Sequence, residues 1–337
     1  MIVAVLIIAG AIFTAAVVSR HSAQISNVHS ATVANTSARG MCTIEVSSGR
    51  VLYEKNADAQ LPMASTTKIV TAITVLENCD DLEQIVKVND RAIGIEGTSI
   101  YLQKGEELTV RELLLGMMLR SGNDASMALA LHISPTREEF NEKMNEVARK
   151  AGATNSSFKN PHGLDEEGHY TTARDLALIS AYAMRNPQFA EIAASKSAKI
   201  NGVEYPRVLK NKNRLLSSMK TCVGVKTGFT KKAGRCYVGA LTQNNMTVVC
   251  VVLNCGPMFE EAAALMEQAT REFTMQRILT ADDFIDCDNE NDLCGIAREN
   301  FFYPLRQGEE VEILCDDDKV CVKFGSEKVY CTPYNKL

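Results

Sequence analysis

Ser65 and Lys68 stand three residues apart in Ser65-Thr66-Thr67-Lys68, a spacing that on a helix puts a hydroxyl and an amine on one face, about one turn apart. Serine is a poor nucleophile at neutral pH. It needs a positioned base, a proton route to the leaving group and donors for the developing oxyanion. Lys68 is the base that this spacing offers, provided that burial and a second cation, for which Lys226 is the obvious choice, disfavour its protonated form. Two further short motifs follow in order, Ser121-Gly122-Asn123 and Lys226-Thr227-Gly228. The S-x-x-K pattern also occurs at Ser156 to Lys159 and Ser217 to Lys220, so context must choose among the three. Only Ser65 opens an apolar helical run, and the other two read as solvated loop residues.

The set S-x-x-K, S-x-N, K-T-G is shared by class A β-lactamases and penicillin-binding proteins. The words around it are Leu61-Pro62-Met63-Ala64, Asn160-Pro161-His162-Gly163-Leu164-Asp165, and Gly224-Val225-Lys226-Thr227-Gly228-Phe229-Thr230 with Ala233-Gly234. With these the chain resembles the D-alanyl-D-alanine carboxypeptidases among the low-molecular-mass penicillin-binding proteins, from about residue 41 to about 275, with a weaker likeness beyond. The resemblance implies the penicillin-recognition fold, an α+β arrangement of a five-stranded antiparallel sheet flanked by helices, with a small β-rich C-terminal domain. It implies Ser65 as the nucleophile that becomes the acyl-ester, Lys68 as general base and Ser121 as proton relay. Asn123 would orient Lys68 and the substrate amide, Lys226 would hold the local potential, and the backbone N–H groups of Ser65 and Phe229 would form the oxyanion hole. Lys226, Thr227, Gly228 and Phe229 would bind substrate, a peptidoglycan stem peptide ending in D-Ala-D-Ala, and β-lactams would acylate the same serine. No metal and no cofactor are implied. Relatives often carry an arginine for the substrate carboxylate early in the strand after the K-T-G hairpin, where this chain has Thr247.

The elements that must hold these groups are legible in outline. Cys42 to Val46 and Arg50 to Glu54, joined by Ser47-Ser48-Gly49, read as a strand pair. Pro62 keeps Leu61 out of the helical region, so the helix Ser65 to Glu77 should begin at the serine, facing it with free N–H groups. Thr109 and Glu112 form a capping box for a helix through Leu119, and Ser121-Gly122-Asn123 lies in the break before Ala125 to Leu131. Ser134-Pro135 opens a helix that Gly152 can end, and Arg174 to Met184 gives another. The period then becomes that of strands at Cys222 to Lys226, Cys236 to Leu241 and Met246 to Leu253, before a helical Met258 to Arg277. A K-T-G strand at a sheet edge can pair with an extended peptide, and its glycine removes the side chain that would keep the peptide away.

At 337 residues, one large domain plus a small one is the natural division: 1–37 a signal peptide or membrane anchor with a polar linker, 38–278 the catalytic domain, 279–337 a small β domain. A net charge of −5 gives no electrostatic footprint for nucleic acid. Ile2 to Val18 is uncharged and apolar and places the folded part outside the cytoplasmic membrane, secreted or anchored through this segment. Many relatives end in an amphipathic membrane-binding helix, whereas here the C-terminus reads Tyr334-Asn335-Lys336-Leu337, so attachment falls to the N-terminal segment. Among 11 cysteines, Cys287, Cys294, Cys315, Cys321 and Cys331 cluster near the C-terminus without C-x-x-C spacing, and both disulfides and free thiols are open to the 11.

Three rival readings remain at this level. His162, Asp165, Glu166 and His169 could ligate zinc, although their segment matches the family's Pro-His-Gly-Leu-Asp loop. A class A β-lactamase would deacylate through a glutamate-held water, for which Glu166 and Glu167 lack the E-x-x-L-N setting. A non-catalytic wall-binding protein would not require Ser65, Lys68, Ser121 and Lys226 intact. His132, on an apolar helix face, reads as a packed core histidine.

Overall fold

The computed structural model describes residues 31–32, 36–281, 284–286, 293–316 and 319–335. The apolar run Ile2 to Val18 and Cys287 lie outside them. Two compact units are present: His29–Ile278 with Phe302–Glu310, and Leu279–Phe301 with Val311–Leu337.

In the larger unit five strands, β1 (Gly40–Glu45), β2 (Val51–Lys55), β3 (Cys222–Thr230), β4 (Gly234–Gln243) and β5 (Met246–Leu253), form an antiparallel sheet in the order β2-β1-β5-β4-β3. The two-residue strand Ala31–Thr32 adds to β2 in parallel. The order has β1, from the chain's start, paired with β5 from some two hundred residues later, as two strand-rich ends around a helical middle require. Period-two alternation splits the sheet's side chains between two cores. Cys42, Ile44, Val238, Ala240, Val249 and Val251 face the helices α1 (Lys68–Glu77), α2 (Val110–Arg120), α3 (Asn123–Ile133), α4 (Arg137–Lys150), α5 (Ala173–Met184) and α6 (Pro187–Ala194). Met41, Tyr237, Leu241, Val248, Cys250 and Val252 face α7 (Met258–Glu272) through Ala262, Leu265, Met266 and Ala269. Each such fully buried large aliphatic side chain contributes about 1.5–3 kcal/mol, so the sheet is a rigid base for whatever its edge carries.

Strand β3 is that edge. Among the described residues no strand pairs with its outer side, and it runs on through Lys226-Thr227-Gly228 to Thr230, further than the expected end at Lys226. Helix α7 stops at Glu272, where the expected helix to Arg277 gives way to a strand, Phe273–Leu279, whose β-branched and aromatic residues pair with Phe301–Arg306. Helix α4 starts at Arg137, capped by the Thr136 hydroxyl accepting from Glu139 N, two residues after the expected Ser134-Pro135 start. The smaller unit holds a five-stranded sheet of Phe284–Asp286, Leu293–Ala297, Glu327–Asn335, Lys319–Phe324 and Glu312–Asp316, in that order. Among the described helices none is long and apolar enough to cross a membrane.

Candidate active site

The turn that carries Ser65 is a 3-10 segment, Ala64–Thr67, running directly into α1. Ala64 lies at φ +51°, a left-handed backbone that costs an alanine about 1–2 kcal/mol and persists only because its surroundings hold it. The loop Asn160-Pro161-His162-Gly163-Leu164 does the holding. Gly163 sits at φ +90°, where a Cβ would come within 2.0 Å of Ala64 O, so only glycine lets the loop close on the turn. Asn160, fully buried, accepts from Gly163 N at 2.7 Å and donates to Leu164 O and Glu166 Oε2 at 3.0 Å. The Thr71 hydroxyl donates to Pro161 O at 2.6 Å.

Lys68 is completely buried, with Nζ 3.0 Å from Ser65 Oγ, 2.7 Å from Asn123 Oδ1 and 2.5 Å from His162 O. Asn123 is itself fixed, because its Nδ2 donates to Glu96 O at 2.6 Å and its backbone N–H to Thr98 O at 2.7 Å. Burial, then the Lys226 ammonium, then Lys212 push the Lys68 pKa well below the ordinary lysine value, with Asp124 opposing. A neutral amine carries two N–H donors and one lone pair. The carbonyl oxygens of Asn123 and His162 take the donors, which leaves the lone pair for the Ser65 hydroxyl.

Ser121 ends α2 in the left-handed region, φ 66°, and is 4 % exposed, two residues from Asn123. Lys226 is buried on β3, and burial followed by the nearby Lys212 brings its pKa down to about 7. Gly228 has a structural role beside the expected clearing of space for a peptide. A Cβ there would lie 3.0 Å from Met63 O and Ser65 N and 3.1 Å from Thr66 N, so the glycine lets the edge strand pack on the nucleophile turn itself. Thr227 is half-buried, and Phe229 stands 65 % exposed at the lip. Thr230 then donates its hydroxyl to Asp165 Oδ1 at 3.1 Å, tying the strand end to the loop.

Two residues escaped sequence reasoning. Asp124, 2 % exposed, accepts from Ser99 Oγ at 2.5 Å, Ile100 N at 3.1 Å and Leu102 N at 3.0 Å, and so anchors the 96–102 loop that fixes Asn123. The only signal was an acidic residue in the first turn of a helix. Lys212, solvent-accessible, acts electrostatically on both Lys68 and Lys226, and its Nζ donates to Thr98 Oγ1 at 3.4 Å. Nothing in Asn211-Lys212-Asn213 marks it in the sequence.

Several expectations are corrected. Thr247 cannot stand where a carboxylate-binding arginine would. It pairs with Thr242, its hydroxyl 3.0 Å from that of Thr242, while Lys226 lies opposite Val238 and thus level with Val251. Four residues along the strand and two strands across put Thr247 roughly 17 Å away. Ser156 is no solvated loop residue, because its hydroxyl bonds Asp175 Oδ2 and Thr171 Oγ1 at 2.7 Å. His132 is half-buried rather than a core residue.

The four members of the zinc reading hold separate partners. His169 accepts from Lys159 N at Nδ1 and meets Thr67 Oγ1 at Nε2, both at 3.0 Å; His162 Nδ1 accepts from Leu164 N at 3.3 Å. Burial takes the two rings down to pKa values of about 4 and about 3, the second helped by Lys68. Asp165 is bonded to Thr230, and Glu166 to Asn160 and, at 3.6 Å, to Arg137, so neither carboxylate converges on the rings. Among the described residues no group of three or more His, Cys, Asp or Glu is placed to hold a metal ion.

The family described as D-alanyl-D-alanine carboxypeptidase matches residues 27–256. The chain is 35% identical over 242 residues to D-alanyl-D-alanine carboxypeptidase DacF of Bacillus subtilis, covering 70% of this chain and 62% of that protein. It is 36% identical over 251 residues to DacC of Escherichia coli, again covering 70% and 62%. The chain thus spans about 62% of the length of these curated relatives. Among solved structures, a mutant of the Streptomyces K15 DD-transpeptidase superposes with a TM-score of 0.65 at 32% identity, covering 69% of this chain and 97% of the other. Penicillin binding protein 6B from Escherichia coli superposes with a TM-score of 0.75 at 25% identity, covering 94% and 100%.

Proposed function

The chain belongs to the D-alanyl-D-alanine carboxypeptidase family, and from that premise we propose that it is a serine-type carboxypeptidase releasing the terminal D-alanine from peptidoglycan stem pentapeptides. The observation that carries the reading is Lys68: buried, held by two carbonyl acceptors, with its third direction on Ser65 Oγ. In this mechanism Lys68 takes the Ser65 proton as the oxygen attacks the carbonyl between the two D-alanines. The backbone N–H groups of Ser65 and Phe229 receive the oxyanion, Ser121 relays the proton to the departing amine, and water releases the acyl-enzyme. Lys226, with Thr227, meets the terminal carboxylate, and Lys212 adds a further positive charge to its surroundings. β-Lactams acylate the same serine. We propose residues 38–278 as the catalytic domain and 279–337 as a β-rich domain, working on the outer side of the cytoplasmic membrane, with residues 1–37 as export signal or anchor.

The test is acylation by a labelled penicillin followed by mass spectrometry of the Ser65 peptide, alongside D-alanine release from diacyl-Lys-D-Ala-D-Ala with and without EDTA. A stable adduct on Ser65 and EDTA-resistant release are expected. Rapid drug turnover would indicate a β-lactamase, absence of any adduct a binding protein, and loss with chelator restored by zinc a metal enzyme.

A further inference from the structure

Two like charges that act on each other need backbones that hold them there, because repulsion drives them apart. Lys212 and Lys226 come from separate segments, the 211–213 loop and β3, yet Lys212 is the charged group that lowers the Lys226 pKa. One side chain ties the two segments together. Tyr237, on β4 opposite Thr227, is completely buried, and its ring packs 5.0 Å from that of Phe259. Its one hydroxyl hydrogen is shared between Asn213 Oδ1 at 3.0 Å and Gly224 O at 3.3 Å. Asn213 follows Lys212 directly, and Gly224 lies two residues before Lys226. The Asn213 amide, 2 % exposed, is kept in this orientation because Oδ1 also accepts from Leu215 N at 3.1 Å, while Asn213 N donates to Asn211 Oδ1 at 2.9 Å. Packing against Phe259 needs only a ring, and phenylalanine would fill the position with no polar atom to satisfy. The hydroxyl therefore serves the bridge rather than the core.

We propose that Tyr237 is a positioning residue for the carboxylate end of the site: its hydroxyl fixes the separation of the Lys212 and Lys226 ammoniums. The inference rests on the reading above in which Lys226 meets the substrate carboxylate. The other charged groups acting around this pair are Lys68 on α1, Asp124 on α3 and Arg120 at the end of α2, none of them on the tied segments. Burial pushes the Tyr237 hydroxyl and the neighbouring Cys222 thiol up, so the tie keeps its protons through the neutral range in which Lys226 titrates.

The experiment is a double-mutant cycle of Tyr237→Phe and Lys212→Ala, which removes the hydroxyl and the second cation separately and together. One readout is the Lys226 titration, followed by NMR of lysines labelled at Cε, which needs no turnover. The other is the pH profile of kcat/KM for D-alanine release from diacyl-Lys-D-Ala-D-Ala. Tyr237→Phe lets the ammoniums separate, so protonated Lys226 is less disfavoured and its titration moves up from about 7, by no more than in Lys212→Ala. The alkaline limb should follow, raising kcat/KM at pH 8 relative to pH 6 by roughly two- to threefold, the scale of moving one like charge a few ångströms in a wet site. Because the hydroxyl acts through Lys212, the double variant should match Lys212→Ala alone. A merely structural role would lower the melting temperature and leave the Lys226 titration in place. Asn213→Ala cuts the tie from its other end and should give the same upward shift, which keeps the test decisive should Tyr237→Phe fold poorly. An unmoved Lys226 titration in the folded variants, or shifts that add in the double variant, overturns the proposal. Failure of the unaltered protein to release D-alanine would instead count against the carboxypeptidase reading, while the NMR titration would still decide the tie.

Discussion

Three lysines with different exposures divide the work at the site. Lys68 is buried and its pKa well depressed, Lys226 is buried and brought to about 7, and Lys212 stays in contact with solvent while pushing both down. Changing Lys68 to Ala removes the lone pair beside Ser65 and is expected to slow penicillin acylation by about 10²–10⁴-fold with circular dichroism unchanged; near-normal acylation would remove it as the base. Lys226 loses its charge as pH rises through about 7 in the free protein, so kcat/KM for a carboxylate-ended peptide should fall above that point. Lys212→Ala removes a cation that destabilises protonated Lys226, so the Lys226 pKa rises and the alkaline limb moves to higher pH. Overall kcat/KM should meanwhile drop about fivefold for loss of one accessible ion pair. A pH profile whose limb stays in place or moves downward would show that Lys212 does not act on Lys226. Ser65, Lys68 and Lys226 were legible because a hydroxyl and an amine three residues apart make an S-x-x-K word and K-T-G is a distinct word. Lys212 and Asp124 were not, because their importance comes from neighbours supplied by distant segments: the Lys226 strand for one, the 99–102 backbone for the other.

At the level of elements, the site exists because an edge strand, the Ser65 turn and a loop meet backbone to backbone at two glycines. Gly228→Ala places a methyl 3.0 Å from Met63 O and Ser65 N and is expected to push β3 off the turn, slowing acylation at least about tenfold with little change in melting temperature, since the sheet's core is untouched. Gly163→Ala meets Ala64 O at 2.0 Å at a left-handed φ, so it should cost both activity and about 2 kcal/mol or more of stability. An acylation rate unchanged in either variant would mean that the strand or the loop moves freely against the turn. Strands with clean alternation and helices with capping residues could be read from the sequence, as Thr109 and Glu112 show in both the pattern and the reciprocal hydrogen bonds. Register could not. Thr247 stood near the K-T-G motif in sequence, but the hairpin through Gln243 to Met246 carries it to the opposite end of the sheet. Thr247→Arg should therefore leave the preference for a free-acid over a C-terminally amidated peptide within twofold of the unaltered protein, measured as a ratio of kcat/KM values; a large gain would contradict the register.

For the whole molecule, cysteine chemistry follows the division into two units. The larger unit's Cys42, Cys79, Cys222, Cys236, Cys250 and Cys255 are all free and buried, and burial pushes Cys236 up to about 11 and Cys250 and Cys255 up to about 12, so they pack as small apolar side chains and resist oxidation. The smaller unit is cross-linked. Cys321 and Cys331 face each other in the strand register and are joined by a disulfide with Cα atoms 4.1 Å apart, and Cys315 is disulfide-bonded too. Both readings left open for the cysteines thus apply, each to its own unit. Every residue assigned to the chemistry, from Ser65 to Thr230, belongs to the larger unit, whose described cysteines form no disulfide. Reduction should therefore separate the two in behaviour. With dithiothreitol, cleavage by a nonspecific protease is expected to appear first between 279 and 337, because an unlinked denatured chain has more conformations to gain on opening. The rate of penicillin acylation at Ser65 should stay within about twofold of its value without reductant, since the Lys68 geometry depends on no sulfur bond. Loss of acylation in step with reduction would show that the disulfide-linked unit supports the catalytic frame and that the two do not act independently.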